Sequence, residues 1–486
     1  MTELIRRLER QARVLDPGSS RRRTLRNAVS AVVERFLRRT RTMKGFDQQA
    51  GDGSGLLDLP ITEAGVPLPE ALAVLEREVL RPGAATASGF HMAYIPGGGL
   101  YHGALGDYLA AATNKYSGVY FPAPGAVRME NQLVRWAADL VGYPATAGGH
   151  TASGGSLANL TAIATARDAH GVSSARVTRA VVYVTGQAHH SIAKALHLTG
   201  LGEAPVRRIA IDPEHRMQPA ALADAIATDR ANGLEPWLVV ASAGTTDTGA
   251  VDPLDAIATI ARDADCWLHV DAAYGGFFLL TGQGRALLRG IERSDSVALD
   301  PHKCLFLPYG SGMVLVRDVQ QLRVTHAHTG SYMQDTHGAG GELSPADISP
   351  ELSRPFRALR MWLPLVTLGV APFRAALEEK LLLARHFHAR LGGLGFEMGP
   401  EPQLSVVIYR WVPPGATAQA ANEFNRWLIK AALEDGRVFL SSTTLEGTVW
   451  LRLAVVTHRT HLREVELAIR VLVELVRQAG GTVASR

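Results

Sequence analysis

Residues 268–303 read LHVDAAYGGFFLLTGQGRALLRGIERSDSVALDPHK. The segment opens with a short apolar run that ends on Asp271, passes through small residues and a Gly pair, and closes with a second run, SVALD, that leads into Pro301, His302 and Lys303. Short apolar runs separated by helix-length intervals are the pattern of buried parallel strands joined by crossover helices. A carboxylate at the end of such a strand is costly to bury unless it is paired. Ligands of open α/β sheets sit at strand ends, so Asp271 is aimed where a ligand would be. The competing reading is a carboxylate that caps the next helix. For Lys303, flanked by buried strands, desolvation predicts a lowered pKa, which suits an imine-forming amine. Its plain alternative is an ordinary surface lysine.

The same rhythm continues outward. Residues 180–184, 207–211, 237–242, 266–270, 296–299 and 313–316 are predicted strands, which gives an α/β class with a buried, mostly parallel sheet over residues 86–375. Residues 1–85 read as a helical extension, interrupted at the Gly-rich 50–55 and the Pro-punctuated 59–69, with little core of its own. Residues 376–486 read as a smaller α+β domain, with helices at 376–391, 418–433 and 463–479 and strands at 404–409 and 449–455. Residues 325–352, which include Gly338 to Gly341, lack clear periodicity and are long enough to be a functional loop.

With 486 residues, 47% of them hydrophobic and 20% charged, the composition is that of a globular protein of two or three domains. The net charge of +4 is small, and much of the basic excess, around Arg21, Arg22, Arg23, Arg38, Arg39 and Arg41, interleaves with apolar residues at helical spacing. It reads as solvated helix faces, so no nucleic-acid partner is expected. Two cysteines, Cys266 and Cys304, build neither a disulfide scaffold nor a metal cluster and point to a reducing cytoplasm. No apolar stretch is long enough to span a membrane, and no uninterrupted apolar region opens the sequence, so neither membrane insertion nor secretion is expected.

Three further pieces carry chemistry. In HTASGGSLANLTAIATARD, a loop with Ser153, Gly154, Gly155 and Ser156 precedes a helix starting near Leu157. Exposed N–H groups, the helix dipole and a hydroxyl make an anion cradle there, and simple helix capping is the alternative. YVTGQAHHSIAKAL places His189 and His190 after a strand, so that one of them faces a site at its end or is a satisfied loop histidine. ASAGTTDTGAVDP supplies Thr245, Thr246, Asp247 and Asp252 in a similar position.

Taken in this order, from about residue 90 to 459, these pieces resemble the group II pyridoxal 5'-phosphate (PLP)-dependent amino-acid decarboxylases, the family of the aromatic-L-amino-acid, histidine and glutamate enzymes. HVDAAYGG and DPHK are its most specific elements. The resemblance implies that Lys303 forms the imine with PLP, with His302 beside it near the phosphate, and that Asp271 pairs with the pyridine nitrogen. It also implies that Ala273 and His189 pack on opposite ring faces, that Gly155 and Ser156 hold the phosphate, and that Thr246 lies near the cofactor. Tyr94, Ile95 and Pro96 of FHMAYIPGGG match a substrate-pocket segment, Arg452 of WLRLAVV matches an arginine near the substrate, and SRPFRALRMW, ending in Trp362, is characteristic of the family. The implied fold is PLP fold type I: a seven-stranded α/β domain with a small C-terminal domain, working as a homodimer with shared active sites.

The implied reaction is decarboxylation of an L-amino acid to the amine and CO2. The family's usual proton donor, a loop tyrosine upstream of the RRFR-like segment, corresponds here to a position near Pro345, where no tyrosine stands. Tyr332 is the nearest candidate. The departure keeps a second outcome open, oxidative deamination to an aldehyde, and Cys304, where many relatives carry a bulky residue, is another departure. Tyr116, Tyr120 and Phe121 are candidates to line the pocket across the dimer. The substrate expected is a neutral aromatic or large apolar amino acid, since no additional basic pair stands out for a side-chain carboxylate. An aminotransferase and a non-enzymatic PLP-binding descendant are the rival readings. A nucleotide-binding Rossmann protein would need a Gly fingerprint that is missing after the first strand.

Overall fold

Seven strands pair in the order β1-β7-β6-β5-β4-β2-β3 in the computed structural model, which describes residues 1–95, 97–328, 342–481 and 483. They are Gly148–Ala152 (β1), Ala180–Thr185 (β2), Val206–Ile209 (β3), Glu235–Ser242 (β4), Trp267–Asp271 (β5), Ser296–Leu299 (β6) and Gly312–Val316 (β7). Pairing between β6, β5, β4, β2 and β3 is parallel, whereas β7 runs antiparallel to both β6 and β1. β1 therefore points the same way as β2 to β6, and the C-terminal ends of six strands open toward one edge of the sheet.

Both faces are covered, which is why the strands read as unbroken apolar runs: every residue of β2, β5, β6 and β7 is buried. On one face the Gly155–Ala169 helix presents Ala158, Ala162 and Ala166, four residues apart and fully buried. Methyl groups at that spacing let the helix lie close on the sheet. Tyr183, Phe277 and Phe278 fill the larger core on the other face.

β1 was not predicted, because GGHTA has no run of large apolar residues; it is a strand because it pairs with β7 along its whole length. A side chain at Gly149 would run into the Val314 carbonyl, so the close pairing needs glycine there. The helix that follows begins at Gly155, two residues before the predicted start.

Beyond the Ala371–Gly392 helix, a four-stranded antiparallel sheet, Glu397–Met398 (β8), Val406–Arg410 (β9), Ser441–Leu445 (β10) and Thr448–Ala454 (β11), pairs in the order β8-β9-β11-β10. Helices Ala418–Asp435 and Leu462–Gln478 cover it, around a core that includes Phe387, Tyr409 and Leu451. At the other end of the sequence, helices Thr2–Ala12 and Ser19–Arg39 bury only Val32 between them, while Leu4, Ile5, Leu8, Val14 and Leu15 lie exposed.

Candidate active site

The loops after β1, β2, β4, β5 and β6 meet around a cavity of about 320 Å³, lined among others by Gly155, Ser156, His189, Thr246, Asp271, Ala273, His302 and Lys303. That volume falls in the range of small-molecule sites, about 300–1,000 Å³. The eight residues that the sequence placed around a cofactor therefore share one enclosure. Of the histidine pair, His189 faces it and His190 does not line it.

Asp271 ends β5 and is 9% exposed. Its Oδ1 accepts the Ala273 N–H at 3.2 Å, and its Oδ2 accepts Asn159 Nδ2 at 2.9 Å. Asn159 comes from the closely packed helix, and its carboxamide also reaches Ser191 Oγ and His269 Nε2, each at 2.9 Å. Asn159, Ser191 and His269 were missed by sequence reasoning, although Asn159 and Ser191 sit in the quoted loop-and-helix motifs and His269 stands inside HVDAA.

Lys303 lies in the short helix Pro301–Cys304 after β6, with Nζ 3.0 Å from Asp300 Oδ2. Here the structure corrects an expectation. Burial lowers the lysine's pKa, but the charges of Asp300 and Asp271 outweigh it, and the free amine sits above its ordinary value. Asp300, 2% exposed, is a further site residue that the reading of DPHK passed over.

Next to Asp300, no side chain caps the N-terminus of the Gly155–Ala169 helix. A Cβ on Gly155 would stand 2.9 Å from Asp300 Oδ2 and 3.0 Å from the Ala273 methyl, so only glycine leaves that corner open. His302 Nδ1 donates to the Ser311 carbonyl oxygen, 2.5 Å away, and burial lowers its pKa. Burial likewise lowers the pKa of His189, whose Nδ1 accepts the Ser191 N–H. An uncapped helix end for an anion, a carboxylate held by two N–H donors, an amine and a neutral ring along one wall form a donor set that fits PLP.

Other candidates fall elsewhere. Asp252 accepts the Met217 and Ser242 N–H groups, both at 2.7 Å, and serves the loop, not the cavity. Tyr94, Ile95 and Arg452 do not line the cavity. Arg452 Nη1 donates to the Ala93 carbonyl and to Ser441 Oγ, while Nε and Nη2 have no partner among the described residues. Burial lowers the pKa of that guanidinium, against the charge of Asp247. Pro96, Tyr332 and Gly338 to Gly341 lie outside the described residues. Among the described residues no cluster could hold a metal ion, and no helix is long and apolar enough to cross a membrane.

Comparison with known proteins agrees with this geometry. Residues 68–412 match the family model described as the pyridoxal-dependent decarboxylase conserved domain. An aromatic-L-amino-acid decarboxylase of Bacillus atrophaeus is 37% identical over 422 residues, covering 86% of this chain and 88% of the relative. Tryptophan decarboxylase 2 of Oryza sativa subsp. japonica is 30% identical over 396 residues, 79% of either chain. The crystal structure of Oryza sativa TDC with PLP and tryptamine superposes with a TM-score of 0.89 at 26% identity, covering 96% of this chain and 99% of that one. The sheet is thus that of PLP fold type I and the cofactor is PLP, and the chain belongs to the group II pyridoxal-dependent decarboxylase family as a carboxy-lyase acting on an L-amino acid.

Proposed function

We propose that the enzyme decarboxylates an aromatic or large apolar L-amino acid to the amine and CO2, with Lys303 as the residue that holds PLP. The enclosure of Lys303 and Asp271 in one cavity, Asp271 at the end of β5 and Lys303 just beyond the neighbouring parallel β6, beside an uncapped helix end, carries this reading. When bound, PLP supplies a sink for the electron pair released as the Cα–carboxylate bond breaks. Asp271, held by Ala273 and Asn159, would face the pyridine nitrogen with its negative charge. Gly155, Ser156 and His302 would hold the phosphate, with Thr246 near the cofactor, and His189 and Ala273 would enclose the ring.

On the substrate side, Tyr94, Ile95, Pro96 and Arg452 would form the pocket, and Tyr332 is the candidate donor of the proton that Cα receives. The names of the Bacillus and Oryza relatives support an aromatic substrate. The assembly would be a homodimer with shared sites, to which Tyr116, Tyr120 and Phe121 contribute across the interface. The exposed apolar residues of the first helices support that pairing. Division into 1–85, 86–375 and 376–486 is supported by the separate core of the C-terminal sheet, and two unpaired buried cysteines suit the cytoplasm.

The test is a panel of L-amino acids with the holoenzyme. Equal amounts of CO2 and amine from tryptophan, tyrosine or phenylalanine are expected, and aldehyde with peroxide overturns the amine assignment. After borohydride reduction, peptide mapping should find the cofactor on Lys303. A Lys303→Ala chain that still gains the visible absorbance and covalent label would overturn that role.

A further inference from the structure

Trp267, His269 and Asp271 stand two apart on β5 and share one face of the strand. The buried polar groups beside them form a continuous line. Trp267 Nε1 donates to Ser296 Oγ at 2.8 Å, and Ser296 Oγ meets His269 Nδ1 at 2.9 Å. His269 Nε2 meets Asn159 Oδ1 at 2.9 Å, and Asn159 Nδ2 reaches Asp271 Oδ2 at 2.9 Å. A branch runs from the same Nδ2 to Ser191 Oγ at 2.9 Å and on to His189 Nδ1 at 2.7 Å. His269, Ser296, Asn159 and Ser191 are each no more than 2% exposed.

Donor and acceptor chemistry gives this line a direction. An indole N–H can only donate and a carboxylate can only accept. Asp271 therefore takes a hydrogen from the Asn159 amide, which turns the amide oxygen toward His269 and calls for a hydrogen on Nε2. A neutral imidazole has one hydrogen, so Nδ1 accepts from the Ser296 hydroxyl. Burial keeps the ring neutral, pushing its pKa down to about 4 against the charge of Asp271. The second Asn159 hydrogen goes to Ser191 Oγ, whose own hydrogen goes to His189 Nδ1, and Ser191 N–H donates to the same atom at 3.2 Å. His189 is left with its hydrogen on Nε2.

We propose that His269, which does not line the cavity, is a positioning residue for the reaction: it holds the Asn159 carboxamide so that one amide hydrogen stays on Asp271 and the other, through Ser191, sets the tautomer of His189. The inference rests on the roles given above to Asp271 and His189. Without the His269 donor the amide is free to rotate, which puts its oxygen against the carboxylate and removes the support from Ser191. A packing role alone would need only the volume of the ring.

The test compares His269→Leu, which keeps bulk without a donor, with His269→Gln, whose amide N–H can reach the position of Nε2. PLP dissociation constants, kcat and KM are measured for the full-length chain, with unfolding midpoints as a control. His269→Leu should weaken PLP binding and lower kcat by about ten- to hundred-fold with KM little changed, and His269→Gln should recover most of both. Ser296→Ala removes one hydroxyl and covers the case in which the leucine variant does not fold; a loss in the same direction is expected. Equal losses in the leucine and glutamine variants, or none in leucine and Ser296→Ala, overturn the proposal. Asp271→Asn separates the two levels: if it leaves PLP binding and turnover intact, the reading of Asp271 itself fails, whereas a crippled Asp271→Asn beside a normal His269→Leu sinks this inference alone.

Discussion

Lys303 Nζ and Asp300 Oδ2 lie 3.0 Å apart across a single turn at the end of β6, and both residues line the cavity. The pair explains why a half-buried lysine has a raised and not a lowered pKa: burial opposes the ammonium, but Asp300 and Asp271 hold it more strongly. Asp300→Ala removes the nearest counter-charge, so the pKa must fall. A fall of one pH unit raises the fraction of free amine about ten-fold well below the pKa. In the cofactor-free chain at pH 8, labelling of Lys303 by a small amine-reactive reagent should speed up accordingly, read by mass spectrometry. Unchanged or slower labelling would show that Asp300 does not govern the amine.

Asp271→Ala leaves Asn159 Nδ2 and Ala273 N–H facing a gap in place of a carboxylate. Loss of a charged hydrogen-bonding partner corresponds to about ten- to hundred-fold in affinity, so PLP should bind that much more weakly and turnover should nearly vanish. Titration of the chain with PLP, followed by its visible absorbance, checks the first part. A variant with normal turnover would remove Asp271 from the nitrogen-facing role.

What the sequence disclosed follows from where each signal sits. HVDAA and DPHK were readable because each joins a chemical group to the end of a buried apolar strand, so the motif carries its own structural context. β1 was hidden because its five residues acquire strand character from β7, not from their own propensity. β10, SSTTL, was hidden because its first four residues alternate half-buried and exposed positions without an apolar face. Asn159, Ser191 and His269 meet only when a helix, a loop and a strand far apart in sequence pack together, and no local pattern records that meeting. The correction at Lys303 has the same origin, since the sequence predicts its burial but not the distance to Asp300.

Gly155→Ala tests the cradle by steric means. Its Cβ would stand 2.9 Å from Asp300 Oδ2 and 3.0 Å from the Ala273 Cβ, closer than the packed backbone and side chains permit without shifting. Gly154→Ala is the matched control, because its Cβ would have only His302 Cε1 nearby, at an ordinary 3.5 Å. PLP affinity should drop at least about ten-fold in the first and change little in the second, with circular dichroism unaltered in both. Equal effects would mean that the corner beside Asp300 is not where the cofactor's anionic end sits.

Stability should fall in mild acid, and the sign follows from buried histidines. His91, His150 and His269 are no more than 1% exposed, and burial lowers their pKa values to about 4, 3 and 4. Unfolded, each takes up a proton near pH 6.5; folded, each resists until far lower. Between those values the unfolded state binds more protons, so their contribution is complete well above pH 6.5 and lost as the pH drops. Asp252 works against them, because burial raises its pKa to about 6 and the folded state gains its proton first. Over the step from pH 6.5 to 5.5 the three histidines cost about 1 kcal/mol each, His326 and His458, also lowered to about 4 by burial, act in the same direction, and Asp252 returns somewhat less than one of these, leaving a net loss of at least about 2 kcal/mol. Urea unfolding of the cofactor-free chain at pH 7.5, 6.5 and 5.5 should show a loss of about 1 kcal/mol over the first step and at least twice that over the second. A flat profile would mean that these imidazoles are not kept neutral by burial, and with it the hydrogen-bond direction assigned from His269 to Asp271 would lose its basis.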